Sequence, residues 1–267
     1  MIALIDGDIL LYRSAGSCEP TKAKPWVEPA EIAIARMQFS IKTMLEALQV
    51  DQYKIFVGEG KTFRNHLYSE YKAHRVKPKP THYALLKDML LKEYPTTLVT
   101  QIETDDRLGI EQTNFGLAST ICSIDKDLLQ IPGYHYNFVK LDRTLVSPLD
   151  GIRTFYRQLV TGDATDNIPG YDGKLRSTIP QFLQVIVDPI NRMDNEWDMY
   201  NYVLELYNSQ LIMDRNAQLL YIHKKENDEW QPPENPDMMS GPTHDIMLSS
   251  SVSSDREQGD IPPNMNV

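Results

Sequence analysis

Thr161-Gly-Asp163-Ala-Thr-Asp166-Asn-Ile-Pro-Gly170 places two carboxylates three residues apart, between a glycine and a turn-forming Asn-Ile-Pro-Gly run. Two further acidic clusters precede it, Glu103-Thr-Asp105-Asp106 and Asp125-Lys-Asp127, and a single acid, Asp6, closes the first apolar run. One acid of the Glu103 cluster could cap a helix and another could favour its dipole, but three acids in four positions exceed what capping needs. Carboxylates gathered at one place cannot all stay ionised without cations. Hard ions such as Mg2+ and Mn2+ prefer oxygen ligands, so a nest of acids suits them. Zinc suits the chain less, because its six histidines and two cysteines show no ligand spacing. Two divalent ions about 4 Å apart can activate water and stabilise the leaving oxygen of a phosphodiester. The expected arrangement brings these acids together, and the rest of the chain presents a nucleic-acid phosphate to the metal they hold.

Cations for that phosphate are concentrated in one stretch. Residues 61–92 carry Lys61, Arg64, Lys72, Arg75, Lys77, Lys79, Lys87 and Lys92 against only Glu70 and Asp88. The net charge of -10 argues against indiscriminate polyanion binding by the whole surface. A local basic stripe matters more to a phosphate backbone than the global sum. Lys72 and Arg75 would share a helix face, bracketed by Tyr68 and Tyr71. Cations interleaved with aromatics suit a nucleic-acid strand, phosphates on the cations and bases on the rings. The bland alternative is a solvated, mildly basic helix. For Asp6 and Asp8 it is a turn and a helix cap.

The elements that must position these residues can be read in order. Met1–Asp6 reads as a buried strand leading into a helix through Tyr12, and 16–29 as a loop. A long helix follows from Glu31, with Met37, Ile41, Met44, Leu45 and Leu48 on one apolar face. Tyr53–Val57 reads as a second strand stopped by Gly58 and Gly60, and Tyr83–Tyr94 as a helix. Thr97–Thr100 and Leu117–Ile124 are further strands, with a fifth near 136–140. Asp125 and Asp127, two apart on an extended segment, would face the same way. A helix runs from Gly151 to Val160; 176–187 and 196–213 read as helical and Gln218–His223 as a short strand. Acids recurring just past strands are where open α/β sheets place ligand chemistry.

The expected class is α/β, a mainly parallel central sheet flanked by helices. Residues 1–160 would form the core, with the basic region at about 61–95, and 161–231 a helical part carrying the second acid pair. From about Gln231 the chain turns Pro- and Ser-rich and acidic, so 232–267 is expected to be a disordered tail. Cys18 and Cys122, far apart, are expected to be reduced. No apolar run approaches a membrane span, and the start lacks a signal peptide's pattern, so a cytoplasmic protein is expected.

Taken in order, the motifs resemble those of the 5′-nuclease superfamily, which includes phage 5′→3′ exonucleases, the 5′-nuclease domain of bacterial DNA polymerase I and eukaryotic flap endonucleases. They are Asp6-Gly7 with Tyr12-Arg13; Gly60-Lys-Thr-Phe-Arg64 leading to Tyr71-Lys72-Ala-His-Arg75; Glu103-Thr-Asp105-Asp106; Asp125-Lys-Asp127; and Gly162-Asp163 through Asp166-Asn-Ile-Pro-Gly170. Any one is weak, the ordered set over residues 1 to about 190 is strong, and the phage-type enzymes are the most similar. The resemblance implies a PIN-like sheet, a helical arch and a C-terminal helical part that grips duplex DNA. It implies metal-dependent hydrolysis from 5′ ends with two Mg2+ or Mn2+ ions, acting on DNA with 5′ ends or branches and extending to RNA in RNA–DNA hybrids. Asp6, Glu103, Asp105, Asp106, Asp125 and Asp127 match its metal-binding acids, and Asp163 and Asp166 the pair assigned to the second ion. Lys72 and Arg75 match catalytic cations at the base of the arch. Lys61, Arg64, Tyr71, Lys77 and Lys79 of the basic stretch, with Lys174 and Arg176 further on, are the expected DNA contacts, and the tail is a candidate contact for replication proteins. If the chain is phage-encoded, its compartment is the host cytoplasm. Two positions depart from the pattern. Val57 stands where many relatives carry aspartate, with Glu59 and Asp8 the acids that could replace it. The run Tyr171-Asp-Gly173-Lys-Leu-Arg keeps only one glycine of a phosphate- and K+-binding hairpin.

Two other readings fit parts of the chain. A haloacid-dehalogenase-type phosphatase also carries Asp-x-Asp after its first strand, here Asp6 and Asp8, but gives the Glu103 cluster and the basic stripe no task. A non-catalytic module of the same fold, recognising branched or 5′-ended DNA, would accommodate Val57.

Overall fold

Ala3, Leu4 and Ile5 expose no surface, a condition met by a strand in mid-sheet with both faces covered. In the computed structural model, which describes residues 1–236, these residues belong to β1 (Ile2–Asp6). β1 pairs in parallel with β2 (Gln52–Thr62) on one side and β4 (Ser119–Cys122) on the other. β3 (Thr96–Gln101) and β5 (Gly133–Asn137) extend the parallel sheet outward, and β6 (Asp142–Val146) closes one edge antiparallel to β5. The order among the described residues is β3-β2-β1-β4-β5-β6. It reverses between β1 and β4, which opens a crevice outside their carboxyl ends. The architecture is α/β with a mainly parallel sheet, as expected.

Alternation along β1 divides the sheet's two faces. Ala3 and Ile5 join one core with Leu10 of α1 (Gly7–Gly16), Met37 and Met44 of α2 (Ala30–Leu48) and Leu86 of α4 (Tyr83–Glu93). Leu4 joins the other with Phe56, Val99, Ile121 and Leu108 of α5 (Thr104–Phe115). A third core lies among α6 (Pro148–Thr161), α7 (Gln181–Val187), α8 (Glu196–Tyr207) and α9 (Gln210–Leu220). Ser147 caps α6 by accepting from Asp150 N, with Pro148 in its first turn. Residues 1–233 form one unit and 234–236 belong to a second; the tail beyond 236 lies outside the described residues.

Several expectations need correction. β2 does not stop at Gly58 but continues to Thr62, with a register shift against β3 between those two residues. The basic stretch is helical only at its two ends: between the short α3 (Phe63–Leu67) and α4, residues 68–82 run as turns and extended chain, so the helix expected through Lys72 and Arg75 is absent. Lys72 has φ 54, which ends any helix through it, and Pro78 and Pro80 follow. Helix 196–213 divides at Asn208, a left-handed cap between α8 and α9. The strand expected over 218–223 is the end of α9 followed by non-helical, unpaired chain. β4 is shorter than expected, because 116–118 form a 3-10 turn. β5 lies at 133–137 and not 136–140, because Asn137 accepts from Val139 N and Lys140 N and turns the chain into β6.

Candidate active site

The crevice at the reversal point is a cleft of about 800 Å³, lined by acids from five places in the chain. Asp6 comes from the end of β1, Glu59 from β2, and Glu103 and Asp105 from the start of α5. Asp125 and Asp127 follow β4; Asp163 ends β7 (Gly162–Asp163), and Asp166 lies in the turn that leads to β8 (Ile168–Pro169). That last turn explains the most specific motif. Gly162 has φ +70, and a Cβ there would lie 2.5 Å from Ile168 O; one on Gly170 would lie 2.6 Å from Val160 O. Only glycines let the two short strands close, and the closure carries both acids to the cleft.

The carboxylates are crowded and half to fully buried. Asp6, 2% exposed, accepts Ile9 N at 3.0 Å and the Ser123 hydroxyl at 2.7 Å. Burial, reinforced by Asp8 and Asp125, pushes it up to about 7. Asp105 is raised well above the usual range by burial, then by Asp125, Asp6 and Glu103. Asp127 is pushed up to about 8 by burial, then by the charges of Asp125 and Asp163; Gln158 donates to it at 2.5 Å. Asp125 accepts Asp127 N at 2.9 Å, so a turn, and not an extended segment, brings this pair together. Asp163 accepts Thr165 N at 2.6 Å.

Cations stand at the same cleft. Lys72 Nζ lies 2.6 Å from Glu103 Oε1 and 3.4 Å from Asp166 Oδ2, and Arg75 pairs with Asp166. Glu103 is held below the usual range: burial pushes it up, but Arg64 and Lys72 outweigh that. Lys79 also lines the cleft, its ammonium 4.2 Å from the Tyr83 ring centre. Lys61, Lys77 and Lys174 are exposed and lie outside the cleft lining.

Four further expected site residues also lie outside the cleft lining, each buried or paired with an acid. Asp106 is fully buried and turned from the cleft, and Arg64, 2% exposed, is its partner. Their two hydrogen bonds, 2.5 and 2.8 Å, take Arg64 from the DNA surface and Asp106 from the ligand set. Tyr71 is 2% exposed, and its hydroxyl, with one proton to give, lies 2.9 Å from carboxylate oxygens of both Glu103 and Asp166, so its ring offers no face to a base. Arg176 makes two hydrogen bonds to Asp172, which neutralises it. Val57 is buried in the α1–α2 core. Of the two acids that could replace an aspartate there, Asp8 reaches the cleft and accepts from Gly58 N, Thr104 and Tyr83, while Glu59 sits at the rim, 3.6 Å from Lys87. Ser123, Thr104, Tyr83 and Gln158 also serve the cleft; each donates to an acid far along the chain (Asp6, Asp8, Asp8 and Asp127), which no local spacing signals.

As the side chains lie, no group of three or more acids, histidines or cysteines among the described residues is arranged to hold one ion. Asp6, Glu103, Asp163 and Asp166 each face a local donor instead. The donor set still fits a hard divalent cation: it is all carboxylate oxygen, and its members raise one another through repulsion that a dication would relieve.

Comparison with known proteins agrees with this geometry. The family model of the 5′-3′ exonuclease N-terminal resolvase-like domain matches residues 1–161. A 5′-3′ exonuclease of Buchnera aphidicola is 29% identical, the match covering 85% of this chain and 82% of that protein. The thermostable DNA polymerase I of Thermus filiformis is 28% identical over 64% of this chain, but the chain spans only 22% of that polymerase. The flap endonuclease of bacteriophage T5, solved as a pseudo-enzyme-product complex with DNA and metal ions, shares the fold. Its TM-score is 0.58 at 17% identity, covering 82% of this chain and 88% of that one. With a cleft of this composition and a family match over more than half its length, the chain belongs to the 5′-3′ exonuclease family and is a phosphodiester hydrolase.

Proposed function

We propose that the cleft cleaves DNA phosphodiesters at 5′ ends or at 5′ flaps with Mg2+ or Mn2+, and that RNA in RNA–DNA hybrids enters it as well. The observation that supports this is one cleft in which buried carboxylates and the cations Lys72, Arg75 and Lys79 stand together. Asp6, Glu103, Asp105 and Asp125 would hold one ion, and Asp127, Asp163 and Asp166 a second. Bound there, the ions supply an activated water and charge opposite the leaving oxygen. The chain's own part is electrostatic. Lys72 and Arg75, now paired with Glu103 and Asp166, exchange those partners for phosphate oxygens and meet the charge that develops on them. Lys61, Lys77 and Lys174, exposed outside the cleft, hold the flanking backbone.

The test is cleavage of a 5′-labelled duplex and a 5′-flap substrate with Mg2+, with and without chelator. Metal-dependent release of short labelled products is the expected result. Tight, structure-selective binding without cleavage at any divalent ion would make the chain a non-catalytic module.

A further inference from the structure

We infer that Arg64 and Asp106 are positioning residues: together they form a buried joint that fixes the acids of α5 against the chain leaving the C-terminal helices. The inference rests on the reading of Glu103 and Asp105 as metal-holding.

Hydrogen-bond capacity makes the first argument. An ionised carboxylate has about four acceptor sites. Asp106 Oδ1 takes Arg64 Nη2 at 2.8 Å and His223 N at 3.2 Å; Oδ2 takes Arg64 Nη1 at 2.5 Å and Glu103 N at 2.9 Å. All four sites are used, and none is left for an ion. The guanidinium commits four of its five N–H donors, and its Nη1 also lies 3.7 Å from Glu103 Oε2. Besides Asp106 it donates to Leu219 O at 2.8 Å and Tyr221 O at 2.6 Å, and it lies over the Phe63 ring. A phosphate could reach neither group without dismantling the joint.

What the joint connects makes the second argument. Asp106 and Glu103 cap α5 reciprocally, so Asp106 sets the backbone from which Glu103 and Asp105 project. Leu219, Tyr221 and His223 belong to the end of α9 and the chain just beyond it. One ion pair thus ties the acid-bearing end of α5, the start of α3 and the exit of the helical part. Buried pairs of this kind add little net stability, because desolvation offsets attraction; what this one supplies is geometry. Only a planar fork can satisfy one carboxylate and two diverging carbonyls at once, which lysine cannot do.

Two measurements test this. In the wild-type chain, Mn2+ binding should raise hydrogen-exchange protection at residues 221–223 as well as at 103–107; protection confined to 103–107 overturns the coupling. Arg64→Lys, assayed well below its melting temperature, should weaken Mn2+ binding and lower kcat by roughly 10- to 100-fold, the range for residues that support metal ligands. KM for DNA should stay within about threefold, because no DNA contact is lost. A raised KM at unchanged kcat would make Arg64 a DNA contact, and unchanged Mn2+ affinity and kcat would leave the pair merely structural. If Arg64→Lys does not fold, Asp106→Asn is read by the same quantities, and the exchange result decides if neither folds. A wild type that binds no Mn2+ would defeat the metal reading itself; a wild type that binds it beside unaffected variants would defeat only the joint.

Discussion

Asp125→Ala should lower the single-turnover rate of 5′-end cleavage by about 1000-fold, the loss of roughly 4 kcal/mol of transition-state stabilisation, while DNA affinity changes little. Asp125 follows β4, on one side of the point where the strand order reverses. Its charge is among the causes that raise Asp6, Asp105 and Asp127. It therefore stands among acids from three separate segments, where a divalent ion would gain most from its charge. Removing it takes one donor from that set without touching an exposed cation. Single-turnover cleavage and equilibrium binding of one labelled duplex separate the two effects. Lost binding with an unchanged rate per bound complex would contradict the assignment of Asp125.

Lys72→Ala should slow the chemical step by about 100- to 1000-fold, the usual effect of losing one donor aimed at developing charge. Its ammonium lies 2.6 Å from Glu103 and 3.4 Å from Asp166, within the cleft and inside the ring of acids. Its backbone N–H bonds to Asp166 O at 3.0 Å, which holds the turn that delivers it. A group so placed meets a phosphate at the reacting position, not along the flanking strand. The expected signature is a fall in kcat with KM nearly unchanged. Full turnover at saturating DNA, with only a weaker KM, would make Lys72 a tether for the backbone.

What could be read from the sequence was local. Ile2–Ile5 is apolar throughout because β1 is covered on both faces, and Asp6 stands out by ending that run. Gly162 and Gly170 mark their turn because no side chain fits between its strands. What could not be read depends on partners distant in sequence. Arg64 and Asp106 looked like a DNA contact and a metal ligand because charged residues are ordinarily solvated or functional. Nothing near either residue announces Leu219, Tyr221 or His223. Tyr71 reads as a stacking platform because it adjoins the cations Lys72 and Arg75, but its buried hydroxyl lies between Glu103 and Asp166. The spacing of Lys72 and Arg75 suggested a helix, but Lys72 takes a left-handed conformation and bonds to Asp166 O, so a tertiary contact overrides the local pattern. β6 escaped notice because its residues 142–145 are exposed on both faces of an edge strand, which erases the alternation that reveals a half-buried strand.

Anomalous scattering from crystals grown with Mn2+ tests the central claim most directly. The account predicts density in the cleft at ligating distance, about 2.0–2.6 Å, from carboxylate oxygens of Asp6, Asp105 and Asp125, with any second ion beside Asp127, Asp163 and Asp166. Asp106 should remain on Arg64. Density absent from the cleft at saturating Mn2+, or an ion held by Asp106 with Arg64 displaced, would contradict it.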